Sequence, residues 1–127
     1  HYKWFNFLAD GISVHVMDVQ GLGRSDVRGY VFKDGVTSQI VQTRFSYDFD
    51  EAMVHRGLVV EIEDEAGRRT RAAMEERGDD FQYPIDPRLT LIDVIGRASV
   101  DGAEAVAYVE MAWPPEYIAH GKAVRGG

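Results

Sequence analysis

Along most of this chain apolar and polar side chains alternate with a period of two, the period of a strand that turns one face to a core. Alternation predicts strands over about residues 3–9, 12–19, 28–33, 36–48, 57–64, 68–76, 88–100 and 103–113. Asp-Gly pairs at Asp10-Gly11, Asp34-Gly35 and Asp101-Gly102 separate them. Such a pair closes a two-residue hairpin, because a type I′ turn needs positive φ at both central residues. Glu65–Gly67 supplies another reversal, with Gly67 in the left-handed position of a three-residue loop. The expected fold is all-β, an antiparallel meander. "RAAMEER" has helical propensity, but it continues a hairpin arm and is assigned to a strand. "GLGRSDVRGYVF" contains Gly-x-Gly yet leads into a strand, so it is read as a loop and not as a phosphate cradle. "WPPEY" ends the last strand, because Pro114 and Pro115 cannot donate to a ladder. A short helix or an extended tail follows, with Tyr117 and Ile118 as its anchors.

Two-residue loops fix which residues face one another across each hairpin. The first hairpin pairs Phe5 with Val16 and Phe7 with Val14, an apolar set that reads as core. Its other face pairs Trp4 with Met17 and Asn6 with His15. Large apolar groups carrying one amide and one imidazole read as the lining of a ligand cavity. The alternative is a core histidine satisfied by the neighbouring amide. Around Gly67, Glu63 faces Arg69 and Glu61 faces Arg71, opposite-charge pairs that belong on a solvated surface.

The Asp101-Gly102 turn sets Val94 against Val109 and Ile92 against Met111 in one apolar layer. On the opposite face Ile95 meets Tyr108, Leu91 meets Ala112, Arg97 meets Val106, and Asp93 lies directly across from Glu110. Two facing carboxylates repel, and burial disfavours both anions, so in an apolar setting one of them stays protonated near neutral pH. That is the condition of a general acid, with Tyr108 as the nearest further donor, and the two groups titrate as a pair. Arg97 or a bound cation would compensate the charge. A register slip by one residue, or solvent exposure of this face, would remove the chemistry.

Composition narrows the partners. The formal charge is −7, and residues 48–80 hold eleven acids against five arginines, so most of the excess sits in one segment. With no basic cluster interleaved with aromatics, nucleic acid is not an expected partner. The four histidines, His1, His15, His55 and His120, lack metal-ligand spacing, and neither a metal nor another cofactor is expected. The absence of cysteine agrees with a reducing compartment, and cytoplasm is the expected location. No apolar run approaches the roughly 20 residues of a membrane-spanning helix, and "HYKWFNF" lacks the features of a signal peptide. The 127 residues fit a single barrel-like domain. Because the chain opens without methionine, directly in an aromatic strand, it is expected to be part of something longer.

The succession "LADGISVHVMD", "RGYVFKDG", a charged hairpin and "GAEAVAYVEMAW" resembles the carotenoid hydratase-like (AttH-like) tandem lipocalin-like proteins, in particular their C-terminal half. The likeness runs from Trp4 to Trp113. It implies a meander closing wholly or partly into a calycin-type barrel that packs against a second barrel; exposed barrel edges would favour pairing with such a companion domain or with a second copy of the chain. It also implies a small apolar ligand of terpenoid, polyketide or lipid-like chemistry. Enzymes of this kind add water across a double bond or steer isomerisation. Asp93, Glu110 and Tyr108 are then the catalytic candidates, and Trp4, Asn6, His15 and Met17 line the ligand. Two functional classes stay open: a cofactor-independent hydratase or isomerase using acid catalysis, and a non-catalytic apolar-ligand binder or structural partner domain.

Overall fold

A computed structural model describes residues 1–125. Eight strands, β1 (Tyr2–Ala9), β2 (Ile12–Gly21), β3 (Arg24–Lys33), β4 (Val36–Phe49), β5 (His55–Asp64), β6 (Arg69–Asp86), β7 (Leu89–Val100) and β8 (Ala103–Trp113), are followed by helix α1 (Pro115–Val124). Every strand is antiparallel to its sequence neighbours, and β1 pairs with β8, so the meander closes into a barrel. This is the all-β antiparallel fold that the alternation predicts.

The hairpin registers match those derived from the turns. Asn6 faces His15 and Phe5 faces Val16. Asp93 faces Glu110 and Val94 faces Val109, while Glu61 faces Arg71. Asp34 and Asp101 take positive φ together with the glycines that follow them, and Gly67 is left-handed. At Asp10-Gly11 only the glycine has positive φ, yet the two-residue register is kept.

Three expectations need correction. The stretch from Gly21 onward is not a loop, because Leu22 and Gly23 both take positive φ and close a tight hairpin between β2 and β3. Strand β6 continues ten residues past the expected end at 76, to Asp86, through three irregularities that absorb its extra residues against β7. After Trp113 the helical alternative forms, with Pro115 in the first turn, where its missing N–H costs nothing, but only one of its two expected anchors is buried. Ile118 is buried there and Gly121 packs against Met53, while Tyr117 stays half-exposed beside His1.

Closure sends one alternating set inward. Phe5, Phe7, Val14, Val16, Val31, Leu58, Val60, Ile92, Val94, Val109 and Met111 form the buried interior. At the end carrying the turns near residues 10, 34, 66 and 101, polar groups seal this core. The buried Asp64 accepts from Arg68 Nε at 2.9 Å and from the amides of Ala66 and Arg68. Arg68 also donates to the carbonyls of Lys33 and Val31, and Lys33 donates to Asp101. Burial pushes the Asp64 carboxyl up, but these amides and the guanidinium outweigh it and hold its pKa below the ordinary value. At the other end α1 packs beside the β4–β5 loop. There His55 is buried with neither ring nitrogen hydrogen-bonded.

In β3 the backbone at Gly29 passes so close to β2 that a Cβ atom would lie 2.0 Å from the His15 carbonyl oxygen. We expect Gly29→Ala to lower unfolding stability by roughly 3 kcal/mol, against roughly 0.5 kcal/mol or less for Gly21→Ala, where a Cβ meets nothing. Urea titration of the two variants checks this.

Candidate functional site

The pleat that buries Phe5 and Val109 sends their sequence neighbours outward. Trp4, Asn6, His15, Met17, Tyr108, Glu110 and Asp93 therefore share one face, as the registers required, but that face is the outer wall of the barrel and not its interior. Across the wall one row runs Phe81, Asp93, Glu110, Trp4, Met17. The next runs Ile95, Tyr108, Asn6, His15, Tyr30. The seven residues are contiguous.

The carboxyl pair sits in a partly dry setting. Asp93 is 1% exposed and Glu110 is half-buried. Tyr108 donates its hydroxyl to Asp93 Oδ1 at 2.8 Å, and Tyr2 donates to Glu110 Oε2 at 2.7 Å. Arg97, the cation that could have neutralised the pair, binds Glu76 instead at 2.7 Å. Burial raises the Glu110 pKa and the adjacent Asp93 raises it further, while the Tyr2 hydrogen bond pulls the other way. Burial and the bond to Asp93 push Tyr108 up to about 12, and burial with the Glu110 bond raises Tyr2 as well, so both remain phenols that donate. The arrangement can hold a proton on a carboxyl beside Trp4, whose ring lies edge-on to Tyr108 at 6.2 Å.

The polar atoms of the neighbouring group satisfy one another. His15 Nδ1 meets Asn6 Oδ1 at 2.7 Å, and Trp4 Nε1 donates to His15 Nε2 at 3.0 Å. That pattern fits the tautomer with its proton on Nδ1. Asn6 donates to the Tyr108 carbonyl, and His15 stacks on Tyr30 with ring centres 5.4 Å apart. Met17 lies beside Trp4 on the same wall.

Two features of the site lay outside the sequence reading. Tyr2 is the direct partner of Glu110, and the β1–β8 register that places it near could not be derived from a turn. Inside the barrel, Lys3 and Asp18 are cross-strand partners on the Phe5 face and are both buried. Their signal was present, since the first hairpin's register puts both charges on the core face. Among the described residues no group of three or more His, Asp or Glu side chains is arranged to hold a metal ion. No helix among them is long and apolar enough to cross a membrane.

A family model matches residues 1–115, which spans all eight strands and stops where α1 begins. The chain belongs to that family, described as Domain of unknown function (DUF7064). No curated protein and no solved structure matches the chain. The closed eight-stranded antiparallel barrel of this DUF7064 domain is consistent with a calycin or lipocalin-like fold, and none of these comparisons links the chain to the carotenoid hydratase-like proteins.

Two groups make stability depend on pH in opposite senses. The folded state keeps the Glu110 proton to higher pH than the unfolded chain, so this contribution is complete below the unfolded pKa and is lost as pH rises through the folded one. His55 is driven down to about 4 by burial and by Arg77, so its neutral ring favours folding above about pH 6.5 and that contribution is lost as pH falls toward 4. Glu110→Gln should therefore raise Tm relative to the parent above the unfolded glutamate pKa and leave the acid-side loss intact. Thermal melts from pH 4 to 8 check both limbs.

Proposed function

We propose that this domain handles a small apolar ligand of terpenoid, polyketide or lipid-like chemistry against its outer wall, at the Asp93/Glu110 pair. One observation carries the reading: two adjacent carboxyl groups, one closed off from water, have phenols rather than cations as their hydrogen-bonding donors. Such a pair keeps a proton at a pH where an ordinary glutamate has lost it. A neutral carboxylic acid beside aromatic rings is what protonation of an alkene requires.

In the hydratase form, Glu110 gives its proton to one alkene carbon and the π pair becomes the new C–H bond. The neighbouring carbon becomes cationic, facing the rings of Trp4, Tyr2 and Tyr108. Water bonds to that carbon through oxygen and returns its surplus proton to the Glu110 carboxylate. In the isomerase form the cation instead loses a proton from an adjacent carbon to the same carboxylate. The wall is open, so the dryness this chemistry needs would come from a cover, a second barrel or a second copy of the chain laid across it.

A specific observation favours a second reading, that of a structural partner domain. Leu8, Ile95 and Val106 are 59%, 48% and 56% exposed and adjoin the site on β1, β7 and β8. An apolar patch of this kind suits docking.

Incubation with apolar olefins in D₂O separates the two. The enzymatic reading expects deuterium in the carbon skeleton, and Glu110→Gln should reduce its incorporation by at least about 100-fold while the thermal melt stays cooperative. Undiminished incorporation in that variant, or none with any olefin, sets the acid role aside in favour of the partner reading.

A further inference from the structure

Pairing between β3 and β4 stops at Tyr30 opposite Gln39. Beyond that point β3 continues from Gly29 down to Arg24 paired only with β2, and β4 continues to Phe49 paired only with β5. Gly29 stands where the two strands part, and the His15 carbonyl leaves no room for a side chain there. The wall therefore has a slit at the end of the barrel that carries α1. Half-buried side chains of the inner face, Val27, Phe45 and Tyr47, line it.

Behind the slit stand two charges that do not pair. Lys3 and Asp18 are cross-strand partners on the inner face, each 4% exposed, and no ion pair joins them. The Lys3 ammonium has one acceptor among the described residues, Gln20 Oε1, and lies 5.0 Å from the centre of the Trp113 ring. Among the described residues the Asp18 carboxylate accepts from the Ser25 hydroxyl alone. An ammonium carries three donors and a carboxylate about four acceptor sites, so both groups can take a further hydrogen-bonding partner. Rings continue from there: Phe45 stacks on Phe5 at 5.1 Å, Tyr47 meets Phe49 at 5.4 Å, and Phe49 meets Trp113 at 5.6 Å.

We propose that this slit admits a neutral long-chain or prenyl-type alcohol, whose hydroxyl sits between Lys3 and Asp18 and whose hydrocarbon body lies along Phe45, Tyr47 and Phe49. The choice of head group follows from the charges. A hydroxyl oxygen accepts from the ammonium and its O–H donates to the carboxylate, so one group serves both. A carboxylate meets the negative charge of Asp18, and an amine meets the positive charge of Lys3. Burial and the nearby Asp18 push Tyr47 up to about 12, which keeps its hydroxyl protonated beside the path. Burial also lowers the Lys3 pKa, a cost that a bound acceptor offsets. This site is inside the barrel and does not depend on the outer-wall reading.

Titration calorimetry with 1-decanol, decanoate and decylamine at neutral pH tests the proposal. We expect the alcohol to bind at least about tenfold more tightly than either charged analogue, and Asp18→Asn to narrow the gap for decanoate. Removing one charge leaves the other uncompensated, so the double variant Lys3→Met/Asp18→Leu accompanies the single one. It should fold, since both charges go together, and should lose the preference for the alcohol. Equal binding of the three compounds, no binding of any, or an alcohol preference that survives in the double variant would overturn the assignment.

Discussion

The ladder between β1 and β8, from Tyr2 opposite Ala112 to Ala9 opposite Ala105, is the contact on which the molecule's division into inside and outside depends. Each hairpin alone is a two-faced ribbon with apolar side chains on both sides. Once the first and last strands join, one set of alternating positions has no route to water. Phe5, Phe7, Val109 and Met111 become core, and the same step fixes Asp93, Glu110 and His15 on the outer wall while it encloses Lys3 and Asp18. A tethered pair of strands from opposite ends of the chain thus decides which ionisable groups are available for which chemistry.

The two ends of the barrel treat buried charge differently. At the hairpin end, Asp64, Arg68, Lys33 and Asp101 are joined to one another or to backbone groups, and the network closes the core. A buried pair contributes little net stability when it is complete, but costs several kcal/mol when one partner is lost. At the α1 end, Lys3 and Asp18 face each other across β1 and β2 without pairing, and the β3–β4 slit opens beside them. One end reads as a seal and the other as a site. On the outer wall the Asp93/Glu110 pair forms a third arrangement, in which hydroxyl donors replace cations.

The registers were legible in the sequence because two-residue turns leave no freedom: Asp101-Gly102 alone placed Asp93 across from Glu110. The core face was legible too, at Phe5, Phe7, Val14, Val16, Val94 and Val109. What the opposite face meets was not: Trp4, Met17, Leu91, Ile95 and Tyr108 are as apolar as the residues that fill the core, so that face read as a cavity lining until closure put it on the outer wall. The β2–β3 hairpin escaped notice because Leu22 occupies a left-handed position that a branched apolar side chain seldom takes. The far half of β6 escaped because Gly78, Pro84 and the aspartates at 79, 80 and 86 are poor strand formers, held in place by β7 rather than by their own propensity. Tyr2 was missed because its partner is more than a hundred residues away and no turn specifies that contact.

Strand β6 beyond Ala73 has β7 on one side and no strand on the other. An uncovered strand border of this length is normally an invitation to polymerise, since any extended foreign segment can add to it. Here three irregularities break the spacing of its amides, Pro84 has none to offer, and Asp79, Asp80 and Asp86 place negative charge along it. Arg77 and Gln82 further span toward the β4–β5 loop through their side chains. The residues that made this segment hardest to recognise as a strand are thus the ones that work against addition of a foreign strand along its border, where Phe81, Tyr83 and Ile85 stand half-exposed.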